Sequence, residues 1–196
     1  NLQIAIPTLD GTVIHPGEVF SYWKQIGKPS RRKGYLPGMQ LDHGTFKAAT
    51  GGGLCQLSNL IYWMALHTPL KVVERWRHSY DVFPDSGRTQ PFGSGATCSY
   101  NYIDLQIQNL ENVPYLLHLY LTETHLVEWR STIPEEKKYE VYEREHWITS
   151  EYWGGFVRHN ILARKVFNKD EPLRDEYITE NHAIMMYAPL LDERRV

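Results

Sequence analysis

The sequence predicts an α+β fold in which one buried, cysteine-bearing helix packs on antiparallel strands and a β-rich C-terminal meander follows. Two patterns support this prediction. After a triple glycine at residues 51–53, apolar residues recur at helical spacing. Beyond Pro69, several runs alternate between apolar and polar residues, as half-buried strands do. One helical run among many alternating runs is typical of an α+β protein.

The length of 196 residues fits one domain with or without a small appendage. We expect a first domain over residues 1–125 and a β-rich extension over residues 126–196 that packs on it. Hydrophobic residues make up 42% of the chain, which is enough to bury a core. The 21 basic and 23 acidic side chains argue against a broad nucleic-acid-binding surface, because such a surface needs a basic excess.

The first 50 residues are rich in Gly and Pro and predict short strands and turns. Strands are expected at residues 2–6 and 12–14, on either side of a turn at Asp10 and Gly11. The helix then begins after the triple glycine and ends near His67, because Pro69 cannot continue it. Its apolar residues lie on most faces, which indicates a buried helix.

The alternating runs predict the later strands in order. They lie at residues 72–78, 99–108 and 115–124, and the C-terminal meander follows at residues 139–149, 155–167 and 177–187. Residues 168–172 supply a turn. A helix within residues 171–178 stays open as an alternative to the strand.

The two cysteines, Cys55 and Cys98, are too few for a disulfide framework, and we expect both thiols to be free. No cysteine or histidine spacing matches a metal site, so neither a metal nor a cofactor is expected. No apolar run approaches the roughly 20 residues of a membrane-spanning helix. The chain begins at Asn1 without an initiator methionine, which is compatible with a fragment whose upstream segment carries a targeting signal. We expect a cytoplasmic location or association with the inner side of a membrane.

Cys55 is the candidate nucleophile. The helix dipole and the unpaired N–H groups of a first helical turn favour the thiolate over the thiol. The preceding glycines allow a sharp turn and leave room for a substrate beside the sulfur. The competing interpretation is a small buried residue that opens a core helix.

A nucleophilic cysteine needs a base and a group that orients the base. His78 is the preferred base because it ends the first strand after the helix, and His43 is the rival. Asp104, within the next predicted strand, is the preferred orienting carboxylate, with Asp85 and Asp81 as alternatives.

Six residues near the cysteine are candidates for substrate binding. The glycines offer backbone groups, the helix side chains offer amides and a hydroxyl, and the arginine offers a charge for a carboxylate. These residues are Gly52, Gly53, Gln56, Ser58, Asn59 and Arg75. The alternative is that the side chains satisfy nearby backbone groups or lie in solvent.

Several separated motifs occur in order between residues 1 and 109. Residues 51–58 resemble the GGGxCQxS signature of the VanW-like family. The other matching segments are residues 9–11, 15–21, 34–35, 74–75, 78–79, 95–97 and 104–105. One departure is a longer loop between Arg88 and Ala96, which leaves no clear equivalent of a family aspartate.

The family is named for an accessory product of a glycopeptide-resistance cluster, so the resemblance implies a link to the cell envelope and peptidoglycan. A second resemblance concerns layout alone. The order Cys55, His78, Asp104 is similar to that of transglutaminase-like and papain-like enzymes, and convergence makes such an order common.

Two functional hypotheses follow. The first is a cysteine-dependent enzyme for acyl transfer or amide hydrolysis on a peptide or peptidoglycan-derived substrate. The second is a non-enzymatic module that binds cell-wall fragments or a partner protein. Both hypotheses leave the oligomeric state open.

Overall fold

The computed structural model describes residues 1–82, 84, 89–121, 126–131 and 137–189, with the backbone alone for 126–131. The described chain is an α+β protein with few helices and many antiparallel strands. Its α-helices are α1 (Leu2–Leu9), α2 (Tyr22–Ile26) and α3 (Cys55–Leu66). The strands of its first part are β1 (Val13–Ile14), β2 (Val19–Ser21), β3 (Pro37–Asp42), β4 (Thr45–Thr50), β5 (Lys71–Glu74), β6 (Tyr80–Asp81), β7 (Gln106–Gln108), β8 (Tyr115–Leu121) and β9 (Leu126–Ser131). The C-terminal strands are β10 (Lys137–Ser150), β11 (Phe156–Asn168) and β12 (Glu171–Met185).

The described strands form four sheets. Two three-stranded sheets have the orders β1-β8-β9 and β2-β7-β5, and β3 pairs with β4 as an isolated hairpin. The C-terminal sheet has the order β10-β11-β12-β6, in which β6 runs parallel to β12. The C-terminal part is therefore β-rich, as predicted, and its sheet includes a strand from the middle of the chain.

Helix α3 begins and ends within a residue of its predicted bounds. It buries Leu57, Ile61 and Ala65 completely, in a core that also contains Leu105 and Ile107 from the strand segment around β7. The burial follows from the helical spacing of these apolar side chains. The core thereby fixes the position of the helix that begins with Cys55.

The strand predicted at residues 2–6 is wrong, because these residues belong to α1. The backbone carbonyl of Asn1 accepts hydrogen bonds from the N–H groups of Ile4 (3.2 Å) and Ala5 (3.1 Å). The helix turns Ala5 and Leu9 into the core, where both are fully buried. This tertiary burial outweighs the strand preference of a segment with two isoleucines.

Two further predicted strands are only partly correct. Of residues 99–108, only Gln106–Gln108 form a strand, since residues 99–103 form a turn that a bridge between Ser99 and Ile103 closes. Asn101 has a φ of 68° in that turn. Of residues 72–78, the strand covers β5 alone, and Trp76 then bridges Thr97.

The meander confirms the three predicted C-terminal strands, although the last one, Glu171–Met185, begins and ends earlier than predicted. Lys169 and Asp170 form the turn between β11 and β12, with φ values of 48° and 71°. Strand β12 begins immediately at Glu171, which decides the open alternative in favour of a strand. No helix in the described part of the chain combines the length and apolarity that crossing a membrane requires.

Candidate functional site

The glycine loop before α3 packs backbone to backbone against β3. A Cβ atom on Gly52 would lie 2.0 Å from the carbonyl oxygen of Gly38, so no larger residue fits at either position. The side chain of Asn1 donates hydrogen bonds to the carbonyls of Gly52 (2.7 Å) and Leu36 (2.9 Å). These contacts hold the loop that leads into Cys55.

A cavity of about 430 Å³ lies between the β3–β4 hairpin and the start of α3. Its hairpin wall is mainly apolar and includes Met39, Leu41 and Phe46. The helix and the segments facing it contribute Trp23, Gly51, Gly52, Gly53, Cys55, Gln56, Asn59, His78, Cys98 and Tyr100. Among the described residues that line it, none is Asp, Glu, Lys or Arg.

Cys55 is the first residue of α3 and is half-buried at the cavity wall. Its Sγ donates a hydrogen bond to the carbonyl of Cys98, at 3.7 Å. Both cysteines are free thiols, as predicted. Within the described part of the chain, the backbone N–H groups of Gly53 and Cys55 have no hydrogen-bond partner. The site thus combines a thiol with two unused backbone donors.

His78 lines the same cavity as Cys55. Burial lowers the pKa of its imidazole, and the positive charge of Arg77 lowers it further. The neutral ring is therefore favoured near neutral pH. Among the described residues, the ring has no hydrogen-bond partner. The structure brings together two of the three residues predicted to act in catalysis.

Asp104 lies outside the cavity lining, at the start of α2. Its Oδ2 accepts a hydrogen bond from the Ser21 hydroxyl (2.5 Å), and its Oδ1 accepts from the N–H groups of Trp23 (3.0 Å) and Leu105 (2.9 Å). Ser21 in turn caps α2 by accepting from the N–H of Lys24. No contact between Asp104 and His78 supports the predicted orienting role.

Two of the three alternatives for base and carboxylate, His43 and Asp81, also lie away from the cavity lining. His43 is at the tip of the β3–β4 hairpin, with 88% of its side chain exposed, and its Nδ1 lies 2.8 Å from Oδ1 of Asp42. Asp81 is buried, 3.5 Å from Arg158, and accepts a hydrogen bond from the Tyr187 hydroxyl. Asp85 lies outside the described residues.

Of the predicted substrate-binding residues, four line the cavity and two do not. The lining residues are Gly52, Gly53, Gln56 and Asn59. Ser58 is fully buried and donates to the carbonyl of Ala96 at 2.7 Å. Arg75 donates to the carbonyls of Gly93 and Gly95 and to Oδ1 of Asn181. Their contacts make Ser58 and Arg75 structural residues that join neighbouring segments.

The sequence reasoning missed the aromatic wall and the second thiol. Trp23 donates from its indole N–H to the carbonyl of Ile103 and meets Tyr100 edge to face, with ring centroids 5.6 Å apart. Burial raises the pKa of the Cys98 thiol to about 12. A two-residue turn at His43 and Gly44, between runs that contain Met, Leu and Phe, is the sequence feature that indicates the hairpin.

The fold and the cavity define an α+β protein in which a cysteine opens a helix at the wall of an uncharged cavity. The chain belongs to the VanW-like family, as the family model described as VanW like protein matches residues 1–129. The resemblance inferred from the motifs is thereby confirmed.

Two curated relatives match a similar stretch. The chain is 35% identical over 127 residues to the Vancomycin B-type resistance protein VanW of Enterococcus faecalis (strain ATCC 700802 / V583). That aligned stretch is 65% of this chain and 46% of the relative. It is also 30% identical over 117 residues to the uncharacterized protein YoaR of Bacillus subtilis (strain 168). This second aligned stretch is 60% of this chain and 37% of the relative. The chain thus spans less than half the length of either relative. No solved structure matches it.

Proposed function

We propose that this protein is a cysteine-dependent enzyme that performs acyl transfer or amide hydrolysis on a peptide or peptidoglycan-derived substrate. The proposal rests on one observation, that Cys55 and His78 line the same cavity at the start of α3. The helix-borne cysteine followed by a histidine is the layout of transglutaminase-like and papain-like enzymes. The relative named for vancomycin resistance favours a substrate from the cell wall.

The geometry supports a two-step reaction. The imidazole of His78 takes the thiol proton, and Sγ of Cys55 attacks the carbonyl carbon of the substrate. The unused N–H groups of Gly53 and Cys55 stabilise the negative charge on the carbonyl oxygen. The amide C–N bond then breaks, the amine takes the proton from the imidazolium, and a thioester remains on Cys55. Water or a second amine attacks that thioester and releases the free thiol.

Within the part of the chain that the structure describes, His78 acts in this proposal without a carboxylate partner, since the Asp104 carboxylate is engaged at α2. A neutral imidazole suits a base, and burial favours the neutral form. Asp104 contributes indirectly, by fixing the backbone of Trp23 at the cavity wall.

The test uses intact-mass spectrometry of the protein after incubation with a mixture of peptidoglycan-derived peptides. We expect a covalent adduct on Cys55 and release of an amine in the wild-type chain and in Cys98→Ala. We expect neither in Cys55→Ala or His78→Gln, with an unchanged circular dichroism spectrum. Equal turnover by Cys55→Ala would refute the nucleophile.

The alternative is a binding module for cell-wall fragments, and one contact favours it. The Cys55 thiol donates its hydrogen bond to Cys98, as a packed thiol does. A binding module predicts that a fragment binds the wild-type chain and Cys55→Ala with equal affinity and that neither releases an amine. Calorimetric titration on the same two proteins therefore separates the hypotheses.

A further inference from the structure

The hydrogen-bonding pattern of the β3–β4 hairpin shows which backbone groups of β3 are free. His43 (φ 47°) and Gly44 (φ 79°) form a two-residue turn with positive φ at both positions, so Asp42 and Thr45 are a hydrogen-bonded pair. At the other end, the N–H of Gly51 donates to the carbonyl of Leu36, at 3.1 Å.

Both ends of the hairpin fit one regular alternation of hydrogen-bonded and non-hydrogen-bonded residue pairs. Hydrogen-bonded pairs fall at positions 42/45, 40/47, 38/49 and 36/51, given the register in which Leu41 faces Phe46. The N–H and C=O groups of Met39 and Leu41 therefore point away from β4. Within the described part of the chain, these groups have no other backbone partner.

The free edge of β3 borders the cavity. Met39, Gln40 and Leu41 are consecutive, and all three line the cavity. Successive side chains of a strand point to opposite faces, so three consecutive lining residues indicate that the cavity touches the edge of the strand. An open strand edge beside a cavity is a template for an added strand.

The chemistry of the cavity selects the kind of strand that fits. Phe46 and Leu41 lie on one face of the hairpin. Trp23 and Tyr100 also line the cavity and form the aromatic part of its wall. The charged pair of the hairpin, Asp42 and Lys47 (2.6 Å), lies on the opposite face. A charged side chain entering the cavity would lose hydration without gaining an ion pair.

We propose that the ligand is an extended, uncharged peptide segment that adds to the free edge of β3 by main-chain hydrogen bonds with Met39 and Leu41. Its apolar side chains pack against Phe46 and the aromatic wall. One end of the segment reaches Cys55, and this last step alone rests on the proposed enzymatic function. The pairing itself needs no thiol chemistry, so it is measured separately.

The first test is binding of acetyl-Ala-Val-Phe-Ala-amide to the Cys55→Ala chain, measured by calorimetric titration. Two analogues carry a single N-methyl group, on the Val or on the Phe amide. Because the amides of an added strand alternate in direction, we expect one N-methylation to weaken binding about tenfold or more and the other to have little effect. Replacing Val by Glu is expected to weaken binding to a similar degree.

The second test removes the donor from the protein. Met39→Pro deletes the outward N–H of β3, Met39→Ala keeps it, and Ala48→Pro deletes the outward N–H directly opposite, on the other edge of the hairpin. We expect Met39→Pro to bind the peptide about tenfold more weakly than Met39→Ala does, and Ala48→Pro to bind like the wild-type chain.

Three results would overturn the strand-addition proposal: no binding of the neutral peptide, equal binding of both N-methylated analogues and the parent, or stronger binding of the Glu peptide. If Met39→Pro loses its circular dichroism spectrum, the N-methylated peptides decide alone. If the neutral peptide binds but the wild-type chain forms no Cys55 adduct and releases no amine from the peptidoglycan-derived peptides, the enzyme is refuted and strand addition stands.

Discussion

The two thiols of this chain differ in environment although they share one cavity. Cys55 is half-buried and opens a helix, whereas Cys98 is only 8% exposed. The pKa of Cys98 rises to about 12 because burial disfavours its thiolate. The thiolate is the reactive form of cysteine, so reactivity is expected to separate the two residues.

Alkylation of the folded protein tests this difference. We expect iodoacetamide at about pH 8 to modify Cys55 and to leave Cys98 unmodified until urea unfolds the chain, because Cys55 is only half-buried whereas burial raises the pKa of Cys98 to about 12. Peptide mapping by mass spectrometry reads each site separately. Modification of Cys98 before Cys55 would contradict the expectation that Cys55 is the more reactive thiol.

The lowered pKa of His78 predicts a pH dependence of stability. The unfolded chain binds a proton on this residue near pH 6.5, while burial and Arg77 delay protonation in the folded chain. Below about pH 6.5 the unfolded state therefore binds more protons. The contribution of His78 is complete above that pH and is lost as the pH falls toward the folded pKa.

Urea unfolding between about pH 5 and 7 measures this effect on the wild-type chain and on His78→Gln. We expect the free energy of unfolding to fall more steeply with decreasing pH in the wild-type chain than in the variant. The other histidines are common to both proteins, so the difference reports His78. Parallel pH profiles would show that the imidazole protonates equally in the folded and unfolded chains.

At the scale of the elements, local pattern identified α3 and the long C-terminal strands, because each has one dominant period. The turn of residues 99–103 and the helix α1 depend on contacts distant in sequence. Asp104, for example, fits the alternating pattern of a strand. Its carboxylate nevertheless accepts a hydrogen bond from the N–H of Trp23 in α2, 81 positions away in sequence. The cavity wall was unpredictable for the same reason, since Phe46 and Tyr100 line one cavity only in the folded chain.

The contact between Gly52 and Gly38 joins the loop before α3 to the β3–β4 hairpin. We expect Gly52→Ala to reduce the free energy of unfolding by roughly 3 kcal/mol, because the added Cβ would lie 2.0 Å from the Gly38 carbonyl oxygen and the backbone must move. The matched control is Gly17→Ala. There φ is 83°, but the added Cβ would meet no neighbouring atom within 4 Å, so we expect the free energy of unfolding to fall by only about 1 kcal/mol, from backbone strain.

Chemical denaturation measures both glycine variants. Equal losses in the two proteins would show that the loop and β3 move apart without cost. The same Gly52→Ala protein is expected to bind the neutral peptide more weakly, since displacing β3 shifts the edge that accepts the added strand.

At the scale of the molecule, side chains of the C-terminal sheet hold the helix that begins with Cys55. Arg164 of β11 donates to the carbonyls of Leu66 (3.0 Å) and Thr68 (2.7 Å), at the C-terminal end of α3. Arg75, which follows β5, reaches Asn181 of β12. The family match ends at residue 129. Arg164 and Asn181 lie beyond that residue, yet their contacts help to hold the segments around the site in place. We therefore infer that the two parts unfold together.

Arg164→Ala tests this coupling, with Arg174→Ala as its control. Both arginines pair with Glu176, but only Arg164 reaches α3, and its side chain is 14% exposed against 52% for Arg174. We expect Arg164→Ala to cost roughly 3 kcal/mol, because two helix-end carbonyls lose their donor and a partly buried ion pair is broken. Arg174→Ala is expected to cost less than about 1 kcal/mol, as exposed pairs do.

Hydrogen exchange then shows how far the loss spreads through the fold. If the molecule is one cooperative unit, protection of the amides in α3 falls together with protection in β11, and by the same free energy. If protection falls in β11 while α3 stays protected, the meander unfolds separately and does not support the cysteine helix. In that case, removing the meander would leave peptide binding at β3 unchanged, whereas a cooperative fold predicts that this binding is lost with it.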